Sequence, residues 1–323
     1  ASLRNKINFS DGTISLKKYD TLKDFSEFYP MIPYQLDLLQ QVFTKIRENS
    51  SAGKHFASGE RNLLGAVQYA ALEYAEKDLG ILIPFQTFYG HLDQGLDHSV
   101  RATIIKAQST PTLQSFDVDV LKVLYLIRYL KSVPSTVENI TTLMLDELDA
   151  DRLKLTENIT AALDRLTKEY LVQRTGLEYL FLTNEEQDIN REINHMDIPT
   201  SKMQSYIGEM IYDTVLEMKK YKYVPFAEKK TVAYDFDCAK WIDESARGNA
   251  TAEIGIHVVT PYSDDYRTRE ELQQLSSRES RLVIALGDSG TFYDDTMMLL
   301  KINEYLRSQS SKQNSGIKRE IID

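Results

Sequence analysis

Cysteine is almost missing from this chain, with Cys238 alone among 323 residues. A lone thiol excludes an intramolecular disulfide framework and a cysteine-rich zinc site, and it suits a reducing compartment, so a cytoplasmic protein is expected. Positive charge is also short, with 38 Lys and Arg against 48 Asp and Glu and a formal net charge of -10. That deficit argues against a general nucleic-acid binder, which needs a surplus of cations on one face, but it leaves room for a local basic patch. No apolar run approaches the roughly 20 residues of a membrane span, and no secretion-type apolar stretch follows the start, so no membrane partner is expected. A phosphate-binding loop is lacking as well. Gly53-Lys54 has Glu48 where that loop needs its first glycine and His55 where it needs Ser or Thr. What remains is 42% apolar residues, enough for a sizeable core and two or three domains.

The most informative stretch is Phe116 to Thr183. Val120, Leu121, Leu124, Tyr125 and Ile127 recur at helical spacing, a short segment VENITTLML follows Pro134, and Leu155, Ile159, Ala162, Leu163 and Leu166 line a third helix. The period then turns to alternation, with LVQRT and EYLFLT flanking Gly176. Three helices and a small hairpin are the order of a winged-helix domain, in which the third helix enters the major groove and the hairpin touches the backbone. Lys154, Arg165, Lys168 and Arg174 are its candidate DNA contacts. Asp149, Asp151 and Glu169 offset them, so a packing or partner-docking module is the expected role ahead of DNA reading.

Upstream, residues 6–28 read as extended pieces around Asp11-Gly12 and a short helix. Amphipathic helices follow over residues 33–49, with Pro33 in the first turn, and 60–77, with Ala66, Ala70, Ala71 and Ala75 suited to close packing, and a third runs from Phe88 or Gly90 to Gln108. Downstream, residues 200–218 form a helix with Met203, Ile207, Met210, Ile211, Val215 and Met218 inward. Strand material with Lys219, Lys220, Tyr221, Lys222 and Tyr223 comes next, the most basic patch of the chain. Interleaved cations and rings can stack and neutralise single-stranded nucleic acid, while a lysine-guarded edge strand is the plainer reading. Residues 253–307 alternate strand and helix, and the run Val283 to Leu286 reads as a strand buried on both faces. Gly287-Asp288-Ser289-Gly290 imitates a serine-protease string without the rest of that machinery. His91, Asp93, Asp97 and His98 are better read as surface residues than as metal ligands, and no metal site is expected.

Several strings point to a family. YPMIPYQLDLLQ, GKHFASGERNLLGAVQ, FDVDVLKVLYLIRYLKSVPSTVENITTLM and FLTNEEQDINREI resemble the large P-loop protein of BREX phage-defence systems, the BrxC/PglY family, over most of residues 25–225. Residues 29–110 also resemble the helical lid of AAA+ ATPases. Gly59-Glu60-Arg61 is similar, with one spacer residue fewer, to the motif carrying the sensor-2 arginine, which implies that Arg61 contacts nucleotide. The resemblance implies an α+β, mainly α fold with five parts. They are an extension of an upstream core (1–28), an AAA+-like helical lid (29–110), a winged-helix domain (111–196), a helix with a small α/β domain (197–308) and a polar tail (309–323).

The resemblance further implies an accessory region of an ATPase that has no catalytic motif itself and needs no cofactor of its own, ATP and Mg being bound by the parent protein. The opening ASLRNKINFSDG, without Met, reads as the interior of such a parent. Expected partners are the upstream P-loop core of the same chain and other subunits of a defence complex, with DNA and a homo-oligomeric copy as further candidates. A DNA-binding winged-helix regulator is the alternative, and an enzyme with an unrecognised site in the α/β part is a third reading.

Overall fold

The computed structural model describes residues 5–10, 16–49, 60–217, 220–225, 233–252, 254–264, 268–288 and 291–308, with the side chains of Glu60, Arg61 and Gln94 outside the description. The Asp11-Gly12 turn expected from sequence lies outside the described residues. The chain divides into two compact units, residues 1–191 and 192–323.

The first unit is helical: α1 (Leu22–Phe28), α2 (Tyr34–Asn49), α3 (Glu60–Glu73), α4 (Tyr89–Leu92), α5 (His98–Ser109), α6 (Ser115–Ile127), α7 (Val137–Leu143) and α8 (Arg152–Lys168). The hairpin β1 (Val172–Thr175) and β2 (Glu178–Phe181) follows, then α9 (Asn184–Asn194). One hydrophobic cluster joins residues from Ile7 to Phe181. Several helix starts have a local cause. Thr21 and Asp24 close a capping box on α1, Thr136 caps α7 through the Asn139 amide, and Asp151 accepts from the Leu153 and Lys154 amides at α8. Gln114 and Asp117 form a further capping box on α6.

The helix expected as continuous from Phe88 to Gln108 is broken. A 3-10 turn, Phe85–Phe88, leads into α4, a second, Asp93–Gly95, follows, and Leu96 is extended before α5. Of the four alanines on the α3 pattern, Ala66 and Ala70 are buried whereas Ala71 and Ala75 face solvent, since only the first two share the stripe that meets the core. The hairpin pairs antiparallel from Val172↔Phe181 to Thr175↔Glu178, and Thr136 bridges Glu178 on its other side.

The second unit places α10 (Thr200–Glu209), continued by a π-helical turn (Met210–Val215), against a mixed sheet. The strands are β3 (Lys220–Tyr223), β4 (Tyr234–Ile242), β5 (Ser245–Arg247), β6 (Ile254–Val259) and β7 (Arg281–Ala285), in the order β3-β4-β6-β7 with β5 on β4. Strands β4, β6 and β7 are parallel, and β3 and β5 are antiparallel to β4. Helix α11 (Arg269–Glu279) joins β6 to β7, and α12 (Phe292–Arg307) follows β7. Met203, Ile207, Tyr212, Ile242, Ile256, Val258, Tyr293 and Leu300 form the core.

Two sequence expectations fail here for physical reasons. Val215 is 69% exposed, because the i→i+5 turn rotates it off the inner stripe that a 3.6-residue period assigns it. Strand β7 is half-exposed rather than buried on both faces, because it lies at the end of the strand order, with Leu282 61% exposed. Gly255 is required where it stands: a Cβ there would come within 2.5 Å of the Arg281 Cγ on the neighbouring strand. The Tyr212 hydroxyl lies 2.6 Å from the Trp241 carbonyl and 3.0 Å from that of Ile256, so its single proton ties the π-turn to two strands. Tyr212→Phe is expected to cost about 1 kcal/mol in urea unfolding of this unit, the net worth of one buried hydrogen bond.

Candidate nucleic-acid interface

Helix α8 exposes Glu157, Asn158, Ala161, Asp164 and Lys168, as its apolar stripe of Ile159, Ala162, Leu163 and Leu166 turns inward. Lys154 stands in its first turn and Lys168 at its last residue, about 21 Å apart at 1.5 Å per residue. Arg174 lies exposed on β1, donating from Nε to the Gly176 carbonyl at 3.1 Å with its guanidinium 5.9 Å from the Tyr179 ring. Arg165 is committed inward. Its Nε and Nη2 reach the two carboxylate oxygens of fully buried Asp117 at 2.7 and 2.6 Å, and this pairing raises the guanidinium pKa. The exposed cations of this surface are therefore Lys154, Lys168 and Arg174, with Glu157 and Asp164 between them.

The second candidate patch is the β3–β4 ribbon. Its register pairs Lys220 with Asp237, Tyr221 with Phe236, Lys222 with Asp235 and Tyr223 with Tyr234. Directly opposed residues share a face, so one side carries Tyr221, Tyr223, Tyr234 and Phe236 and the other carries the two lysines and two aspartates. Lys220 lies 3.2 Å from Asp237. The charged side is electrically balanced, whereas the aromatic side is open: Tyr221, Tyr223 and Tyr234 are 43%, 46% and 51% exposed. Tyr234 and Phe236 were missed in the sequence reading. The alternation YDFD, mirrored across a hairpin by KYKY, is the signal that finds them.

Arg61 begins α3, but its side chain lies outside the described residues, as does Lys219. Among the described residues no group of three or more His, Cys, Asp or Glu side chains is arranged to hold a metal ion, and no helix is long and apolar enough to cross a membrane.

At the carboxyl end of β4, Asp243 is buried, accepting from the Thr260 amide at 2.7 Å and its hydroxyl at 2.9 Å. Burial dominates and lifts its carboxyl pKa above the usual value. A raised folded-state pKa favours the protonated form, so its contribution to stability is present below about pH 4 and is lost as pH rises through the folded value. Asp243→Asn should remove that loss. Asn also tolerates the positive φ of 47° at this position. The check is urea unfolding of both proteins between pH 4 and 7, where the wild type should lose stability relative to the variant.

The two units define a mainly helical α+β protein with a small mixed sheet in its second part. Residues 196–323 match the family described as the BREX ATP-binding protein BrxC, 4th domain with six-stranded beta sheet, and this match supports a fragment of a BrxC-family BREX protein. The described residues supply five strands of that sheet. No solved structure matches the chain.

Proposed function

We propose that this chain is an accessory region of an AAA+-like P-loop ATPase in a bacterial phage-defence complex, coupling nucleotide state to assembly or to partner and DNA binding. The match of residues 196–323 to a domain of an ATP-binding BREX protein carries this reading. ATP and Mg belong to the P-loop core of the parent protein, with Arg61 at the start of α3 reaching the nucleotide as a bidentate donor. The other subunits of the defence complex are its partners, and a second copy of the chain is a further one. Arg61→Ala in the intact protein should lower ATP turnover by about tenfold or more, the scale of one lost charge-assisted contact to a phosphate, with Arg61→Lys falling between. Turnover equal to wild type in both variants removes the role of Arg61.

The second reading is nucleic-acid binding. The open aromatic face of the β3–β4 ribbon favours single strands over duplex, because rings stack on unpaired bases while the lysines beside them are offset by Asp235 and Asp237. Retardation of an oligothymidylate but not of a duplex, with a shallow salt dependence, is the expected signature.

A further inference from the structure

A cleft of about 140 Å³ opens in the first unit, independent of the ribbon and of α8. Its walls come from α3 (Tyr69, Glu73), the 3-10 turn (Gln86), α4 (Tyr89) and α6 (Asp119, Lys122). One buried polar atom of these walls, the Gln86 side-chain carbonyl, has no hydrogen-bond partner, whereas the Tyr89 hydroxyl, on a residue only 3% exposed, interacts with Asp93. An orphaned buried acceptor costs roughly 1–3 kcal/mol and calls for an explanation.

The surrounding chemistry says what would satisfy it. Gln86 Oε1 can only accept, Glu73 and Asp119 are carboxylates, and tyrosine rings offer negative faces. Lys122 sits 2.8 Å from Asp119 and offsets only that charge. Burial raises the Tyr69 pKa, with the charges of Glu73 and Asp93 adding to it, and Asp93 acts likewise on Tyr89. The cleft is thus acceptor-rich and negative in potential. An anion is repelled and a neutral apolar group leaves the Gln86 acceptor unmet.

We infer that this cleft binds a guanidinium group, planar, cationic and made only of donors, with Gln86 and Glu73 taking its N–H groups and the tyrosine rings its face. Two sources share that chemistry: a small guanidino compound, or an arginine side chain presented by a peptide.

The test is calorimetric titration of the chain with argininamide, with lysinamide, and with a capped tripeptide bearing a central arginine. Saturable binding of argininamide or of the tripeptide, about tenfold tighter than lysinamide, supports the assignment, since an ammonium cannot match the planar fork. Argininamide binding as well as the tripeptide names a small molecule, and binding of the tripeptide alone names a presented side chain. Glu73→Gln, at an exposed position, should weaken binding about tenfold without unfolding the protein, and Gln86→Ala should do the same. No saturable binding of either guanidino ligand, or binding equal to lysinamide and unchanged in Glu73→Gln, overturns it.

Discussion

Arg165→Ala will lower the unfolding free energy of the first unit by about 3–5 kcal/mol, the scale of a buried ion pair broken from one side. The two partners are unequal. Asp117 is fully buried, whereas the Arg165 side chain is 30% exposed. Removing the arginine leaves a carboxylate without water and with the Gln114 amide, 2.9 Å away, as its remaining bonded donor of this set. Removing Asp117 instead leaves a guanidinium that can turn to solvent, although it also undoes the capping box of α6. The double variant Arg165→Ala, Asp117→Asn should recover a large part of the loss, because the stranded charge is then gone. Chemical denaturation of the three variants reads this directly. Equal stability of Arg165→Ala and wild type would mean that Arg165 is free to serve elsewhere, as the sequence reading supposed.

Glu186→Ala should be as damaging, again about 3–5 kcal/mol, for the mirror-image reason. Here both side chains are enclosed, Arg128 at 11% and Glu186 at 5% exposed. The carboxylate takes Arg128 Nη1 and Nη2 at 3.0 and 2.5 Å and the Thr183 amide at 2.7 Å. The same Arg128 Nη1 donates to the Phe181 carbonyl at 3.2 Å, so the pair fastens α6 to the end of the hairpin and the first turn of α9. Alanine leaves an enclosed guanidinium without its counter-charge, although the Phe181 carbonyl still accepts from it. Glu186→Gln keeps the shape and one of the two acceptor oxygens, and should cost less than Glu186→Ala. A loss in Glu186→Ala no larger than that of an exposed pair, about 0–1 kcal/mol, would contradict the burial argument.

Much of the architecture was legible because it is local. The helical spacing of Val120, Leu121, Leu124 and Ile127 reports α6, and alternation on either side of Gly176 reports the hairpin. What escaped depends on distance in sequence or on strand order. Asp117 looks like a polar residue on an apolar helix until Arg165, 48 positions later, is brought against it. The apolar run at Val283 looks central until the sheet order leaves β7 at an edge. Val215 is displaced by a single π-turn that has no periodic signature.

The candidate interface follows the same rule. Lys220, Tyr221, Lys222 and Tyr223 were visible as a basic aromatic string, but their neutralisation by Asp235 and Asp237 and their enlargement by Tyr234 and Phe236 are properties of a register. Composition alone therefore overstated the charge of that patch and understated its aromatic area.

We propose that this region couples nucleotide state to assembly. Sedimentation velocity of the intact protein, run once with a non-hydrolysable ATP analogue and once with ADP, tests it most directly. The account predicts a shift to larger species with the analogue, diminished in Arg61→Ala. Identical distributions in the two nucleotides would contradict it.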